Sequence, residues 1–300
     1  MARRTQWQRR LTRIVQPVEA AIVRAAFVLF RMLPLETASA VGGRIARAVG
    51  PWIGVTRRAR KNLRRVFPEK TDQEIEAIIR DMWENLGRVA TEYPHLSRMR
   101  AFPPGNNVEV IGTEHVDAAR ARGKPLIFFS GHLGNWEING LAAKQYGLPL
   151  HLIYRPANNP WVEEIFREGR GDIAAGLIRK GAEGARAAMQ VLREGKQLGI
   201  LIDQKMNDGI PVPFFGRDAM TAPALARLAL KFDCTVLPTQ VERIAGARFR
   251  LTVHPPLPLE RTGDLQRDVH AIMTRANAHL EAWIRNRPAQ WLWLHRRWPD

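Results

Sequence analysis

The stretch Phe128-Phe129-Ser130-Gly131-His132-Leu133-Gly134-Asn135-Trp136-Glu137 constrains the fold more than any other segment of this chain. It sets a histidine and a carboxylate five positions apart, directly after the apolar run Pro125 to Phe129. On one helix, residues with that spacing lie about 140° apart around the axis, so a continuous helix cannot bring them together. A strand ending near Ser130 can. His132 then lies on the connecting turn, Gly131 and Gly134 allow its tight path, and Asn135 can cap a helix that carries Glu137 in its first turn. The spacing therefore predicts a strand, a turn and a helix, with both side chains at the carboxyl end of a strand, where open α/β sheets bind ligands. An imidazole there can take a proton from an alcohol. A carboxylate on its far nitrogen would fix the tautomer and stabilise the cation that forms, and the helix dipole favours the ionised form of Glu137.

The flanking pattern extends this unit. Asn106 to Ile111 predicts a strand, Thr113 to Arg122 a helix and Pro125 to Phe129 the strand that feeds the motif. Beyond Glu137 the periodicity predicts a helix over 138–146, a strand over 149–154, a helix over 160–168, a short strand over 172–178, a helix over 182–194 and a strand over 197–202. A helix over 222–232 capped by Thr221, strands over 235–242 and 247–253, and a long helix from Asp264 to Asn286 follow. Such alternation predicts an α/β fold with a mostly parallel central sheet flanked by helices. Upstream, Thr71-Asp72-Gln73-Glu74 is a capping box, and Ile75, Ile78, Ile79, Met82, Trp83, Leu86 and Val89 form a core-facing stripe behind it.

The run Leu198-Gly199-Ile200-Leu201-Ile202 reads as a second buried strand with a polar pair, Asp203-Gln204, at its end. That pair either opens into the crevice beside His132 or caps a turn around Asn207-Asp208-Gly209. Arg155 and Arg170 have the forked guanidinium that suits a phosphate or a developing oxyanion, and their residue type leaves open which of them faces the site. Cys234, the single cysteine, allows no internal disulfide and reads as a small residue entering a buried strand. The remaining histidines have no paired metal spacing, so neither a metal nor a cofactor is expected.

Charge is unevenly placed. The chain carries a formal net +17, of which residues 1–65 hold +13, from fifteen arginines and lysines against Glu19 and Glu36. Within this basic end, Ile22, Val23, Ala26, Phe27, Phe30 and Leu33 recur at helical spacing between Pro17 and Leu35. Arg24 and Arg31 interrupt them, so an unbroken apolar run of about 18 residues is absent. The pattern predicts a helix lying in or dipping into a membrane surface, with Arg3, Arg4, Arg9, Arg10 and Arg13 on anionic headgroups. The apolar stretch is interrupted and no clear small-residue cleavage site follows it, so a cleaved signal is not expected and the remainder is expected on the cytoplasmic face. We accordingly divide the chain into a basic membrane-associating region, 1–65, and a catalytic domain, 66–300. A second basic cluster, Arg57 to Arg65, offers a surface for phosphorylated lipid, for an acidic partner or for solvent alone. Nucleic acid is the less favoured partner and none is expected, because no recognised binding motif appears and aromatic residues do not interleave with the basic runs.

Taken with Tyr154-Arg155-Pro156, Asn158-Asn159-Pro160, Phe166-Arg167-Glu168-Gly169-Arg170, LGILIDQ, PVPFFGRDAMTAPALARLAL and the tail PAQWLWLHRRW, the GHLGNWE motif resembles the lipid A lauroyl and myristoyl acyltransferases of the lysophospholipid-acyltransferase-like superfamily. The resemblance runs from about residue 20 to the C-terminus, in the family's order. It implies a glycerolipid-acyltransferase-like fold at the bacterial inner membrane, and transfer of a fatty acyl chain from acyl carrier protein to a hydroxyl of a lipid A precursor. In that reading His132 is the general base, Glu137 orients it, and Asn135, Arg155, Arg170, Asp203 and Gln204 bind substrate. Two other readings stay open: an acyltransferase for a lysophospholipid or an amino-acid-derived lipid, and a non-catalytic basic adaptor. The tail tryptophans Trp291, Trp293 and Trp298 are expected to pack beneath the site.

Overall fold

The computed structural model describes residues 6–103, 107–171 and 173–298, with side chains from Val15 onward. In chain order the elements are α1 (Gln6–Met32), α2 (Leu35–Val49), α3 (Thr56–Val66), α4 (Asp72–Glu92), β1 (Val108–Ile111), α5 (Thr113–Ala121), β2 (Leu126–Ser130), α6 (Ile138–Gln145), β3 (His151–Tyr154), α7 (Pro160–Arg170), β4 (Gly176–Arg179), α8 (Ala182–Arg193), β5 (Leu198–Leu201), β6 (Lys205–Phe214), β7 (Arg217–Thr221), α9 (Ala224–Lys231), β8 (Thr235–Ala245), β9 (Arg248–Val253) and α10 (Leu265–Asn286).

Seven strands form one sheet in the order β1-β9-β8-β2-β5-β3-β4. The mostly parallel sheet expected from the alternation is present: β8, β2, β5, β3 and β4 all run parallel, and only the β8–β9 hairpin reverses direction. Strand β2 lies at the centre, and both of its faces are covered. Ile127 and Phe129 join a core layer with α9, α10 and the C-terminal tail, while Leu126 and Phe128 join a second layer with α5 and α6. Burial on both faces is why this strand reads as an unbroken apolar run and not as an alternation.

The capping box of α4 forms as expected, with Thr71 Oγ1 accepting from the Glu74 amide and Glu74 Oε2 accepting from the Thr71 amide at 2.8 Å. Two local expectations do not hold. Asn207-Asp208-Gly209 is not a free turn but a bulge within β6, whose pairing with β7 shifts between Lys205 and Ile210. A Cβ on Gly209 would stand 2.5 Å from the Thr221 carbonyl oxygen, so this close approach requires glycine. Thr221 caps no helix; its hydroxyl donates to the Ala219 carbonyl and accepts from Arg297 at 2.9 Å.

Helix α1 lies along the body. Arg24 pairs with Glu168 of α7, and His95 bonds the Phe30 carbonyl at 2.9 Å. Its Val15, Val18, Ile22, Leu29 and Met32 side chains remain exposed. Among the described residues no helix is long and apolar enough to cross a membrane. The side chains of Arg3, Arg4, Arg9, Arg10 and Arg13 lie outside the described residues. Trp291, Trp293 and Trp298 are buried against Phe214 and one another, as expected of a packed tail.

Candidate active site

Sheet register brings the site together. Strands β2 and β5 are parallel neighbours with Ser130 opposite Leu201, and the Ile202 amide donates to the Ser130 carbonyl at 3.1 Å. Two residues past each strand end, His132 and Asp203 therefore face one another. Asp203 Oδ1 lies 2.8 Å from His132 Nδ1, Oδ2 accepts the His132 backbone amide at 2.8 Å, and Oδ2 also accepts the Trp291 indole N–H at 2.8 Å. The carboxylate is fully buried. Burial alone would raise its pKa, but the charge and hydrogen bond of the His132 ring outweigh that and hold it well below the usual carboxylate range. An ionised Asp203 on Nδ1 leaves His132 Nε2 as the nitrogen open to chemistry.

The contact expected between His132 and Glu137 is not made, and this corrects the orienting role read from their spacing. Gly134 turns the chain at φ +55°, where a Cβ would meet the Val241 carbonyl at 2.6 Å, and α6 begins only at Ile138. Glu137 pairs instead with Arg170 of α7 and with Tyr93, the residue that follows α4. Its carboxylate receives Arg170 Nε and Nη2, each at 2.9 Å, as well as the Tyr93 hydroxyl and the Trp136 indole. Burial works against its ionisation, Arg170 outweighs burial, and the net result is a lowered pKa. Tyr93, buried beside that charge, is pushed well above the ordinary phenol value.

Asn135 also departs from expectation. It is fully buried; its side-chain nitrogen donates to Glu92 at 2.9 Å and its oxygen accepts the Glu137 amide at 3.3 Å. Glu92 is paired in turn with the buried Arg243. Asn135 therefore fastens the motif loop to α4.

His132, Trp136, Glu137, Tyr154, Arg155, Arg170, Lys180 and Gln204 line a cavity of about 150 Å³ that runs inward between apolar walls from Phe128, Leu150, Leu152, Leu177 and Ile200. Of the two arginines, Arg170 is held in the wall by Glu137 and Tyr93, with the Tyr154 ring 5.6 Å away. Arg155 is exposed at the mouth. Gln204 lies beside the imidazole, its amide nitrogen 3.3 Å from His132 Nε2.

Two residues were not anticipated. His295 comes from the tail; its ring centroid lies 5.5 Å from that of His132, and its Nε2 lies 3.3 Å from the same Gln204 nitrogen. Burial, and then the neighbouring His132, lower its pKa to about 4. Its place depends on α3, where Asn62 donates to the carbonyls of Trp293 and His295 at 2.9 Å and Arg58 donates to that of Leu294 at 2.8 Å. Lys180, one residue past β4, donates to Gln204 Oε1 at 3.4 Å; desolvation at the cavity wall lowers its pKa against the opposing pull of Asp203. The only sequence signal for either was position: Lys180 also follows a strand, and His295 lies inside the tryptophan-rich tail. Cys234 takes no part, since burial pushes its thiol up to about 12. Among the described residues no group of histidine, cysteine and carboxylate side chains could hold a metal ion.

Comparison with known proteins gives this arrangement a context. The chain is 25% identical over 280 residues to a lipid A biosynthesis acyltransferase of Haemophilus influenzae, covering 90% of this chain and 82% of that one. It is 26% identical over 284 residues to the lipid A biosynthesis palmitoleoyltransferase of Escherichia coli, covering 90% and 87%. A phosphatidylinositol mannoside acyltransferase of Mycolicibacterium smegmatis is 23% identical over 279 residues, covering 91% and 89%. The model of the bacterial lipid A biosynthesis acyltransferase family matches residues 6–300, and the chain, an acyltransferase, belongs to that family.

Proposed function

We propose that this acyltransferase moves a fatty acyl chain from the thioester of acyl carrier protein to a hydroxyl of a lipid A precursor, late in the assembly of that lipid. The observation that carries the reading is the His132–Asp203 pair at the mouth of an apolar cavity, in a chain of this family. The acceptor hydroxyl gives its proton to His132 Nε2 as its oxygen attacks the thioester carbon. Asp203 holds the tautomer and stabilises the imidazolium. On collapse the C–S bond breaks and the departing sulfur takes the proton from His132, so no acyl-enzyme is formed. The acyl chain lies along Leu152, Leu177 and Ile200. Glu137 acts through Arg170, keeping that guanidinium in the cavity wall, while Arg155 at the mouth suits an anionic headgroup.

The mannoside acyltransferase among the relatives favours one second reading, a different glycolipid acceptor. Purified protein given a labelled acyl-carrier-protein thioester and a panel of lipid A precursors, lysophospholipids and mannolipids decides between them. Label on the lipid A precursor supports the proposal; label on another lipid alone overturns its acceptor.

The exposed apolar stripe of α1 supports a membrane-surface role at the inner membrane's cytoplasmic face. Ile22→Glu with Leu29→Glu should abolish co-flotation with anionic vesicles; unchanged flotation of that variant would contradict it.

A further inference from the structure

Acyl transfer builds negative charge on the thioester oxygen, and some donor must meet it near His132. Four amides of the motif loop are already engaged. The amide of His132 is bonded to Asp203, that of Leu133 to the Gly131 carbonyl, that of Gly134 to the Gln290 carbonyl and that of Glu137 to the Asn135 side chain. Arg170 is held on Glu137 and Tyr93, and Arg155 leans on Asn158 at the mouth. The side chain that does stand beside the reacting nitrogen is Gln204.

Its orientation is fixed from both ends. Lys180, which can only donate, holds Oε1 at 3.4 Å, so the amide NH₂ faces the histidines. One N–H is directed at His132 Nε2 and the other at His295 Nε2, both at 3.3 Å. These contacts are longer than the usual separation of about 2.9–3.0 Å for such bonds, so exchanging one for an oxyanion loses little. When the acceptor hydroxyl takes over His132 Nε2, one N–H of Gln204 is released at the spot where the attacked carbonyl lies. His295 retains the other.

Building on the acyl-transfer reading, we infer that Gln204 is the oxyanion donor of this enzyme, with Lys180 polarising its amide and His295 positioning it. The acceptor O–H proton passes to His132 Nε2, the new C–O bond forms, and the carbonyl electron pair moves onto oxygen. That oxygen accepts the Gln204 N–H within reach of the Lys180 charge. The pair then returns, the C–S bond breaks, and sulfur leaves with the proton from His132.

The test compares wild type with Gln204→Ala, Gln204→Glu and Lys180→Met. Two readouts are used: steady-state transfer from an acyl-carrier-protein thioester, and binding of two donor mimics. An S-alkyl thioether resembles the ground state, and an acyl trifluoromethyl ketone, which hydrates to a tetrahedral centre, resembles the intermediate. Gln204→Ala should lower kcat by about 10²–10³-fold with KM for the donor changed less than about threefold, as losing one oxyanion donor does. It should also lose the preference for the ketone while binding the thioether normally. Lys180→Met, altered at the open mouth, should show the same pattern at about tenfold. If Gln204→Ala fails to fold, Gln204→Glu, which keeps the shape, decides: a lost ketone preference supports the inference, and a retained one overturns it. Folded Gln204 variants that keep kcat within about threefold of wild type would overturn it while leaving acyl transfer intact. Wild type that transfers no label would instead overturn the acyl-transfer reading and this inference with it.

Discussion

Asp203 and His132 face each other because β2 and β5 are parallel neighbours in matching register, each with its polar residue two positions past the strand end. The pair is thus a property of the sheet and not of either loop alone. Strand pairing at the centre of the molecule anchors the chain two residues before each of them. That rigidity suits a base that must meet a hydroxyl within hydrogen-bond reach.

The buried Glu137–Arg170 pair should be costly to break from one side. Arg170→Met leaves the Glu137 carboxylate without its main partner in a nearly water-free position and should destabilise the fold by about 3–5 kcal/mol. Adding Glu137→Gln should recover most of that loss. Urea denaturation of the single and double variants checks this; equal stability of Arg170→Met and wild type would show the pair to be dispensable for folding.

His295 predicts a pH dependence of stability. Its folded pKa of about 4 lies below the unfolded value of about 6.5, so the unfolded chain binds the proton first. The contribution is complete above pH 6.5 or so and is lost as pH falls toward 4, at up to about 1.4 kcal/mol per pH unit. His254 and His279, also lowered mainly by burial, add in the same direction. His295→Asn should flatten the fall of Tm between pH 6.5 and 4. An identical pH profile in this variant would count against a half-buried, neutral His295.

Donor recognition should separate from chemistry at α3. This helix holds the tail that carries His295, while Arg57 and Arg64 face outward from it. An acidic carrier protein docking there would meet positive charge close to the site. Arg57→Glu with Arg64→Glu should raise KM for the carrier-protein thioester about tenfold or more and leave acyl-CoA turnover unchanged. Equal effects on both donors would assign these arginines to lipid headgroups or to solvent. Arg58 is unsuitable for this test, because it clamps the Leu294 carbonyl.

How much of this was legible beforehand follows the range of each interaction. The strands of the parallel sheet could be read because burial on both faces leaves a continuous apolar run, and α4 because its capping box and stripe are local. The strand–turn–helix path of the motif was legible for the same reason. Which carboxylate meets His132 was not, since Asp203 lies 71 residues away and reaches it only through strand register. Glu137 stood nearer in sequence but belongs to the opposite side of the turn. The bulge at Gly209 was misread because bulges and turns favour the same residues. Lys180 and His295 carry no local signature, and only the fold brings both to one amide.

The central claim, that His132 takes the acceptor's proton while Asp203 holds its ring, is tested most directly by the rate of label transfer from acyl carrier protein to a lipid A precursor in His132→Ala, Asp203→Asn and Glu137→Gln. The account expects the first two to fall by about 10²-fold or more while remaining folded, and Glu137→Gln to fall less. Near-normal transfer by a folded His132→Ala would contradict it outright. An active Asp203→Asn beside an inactive Glu137→Gln would return the orienting role to Glu137.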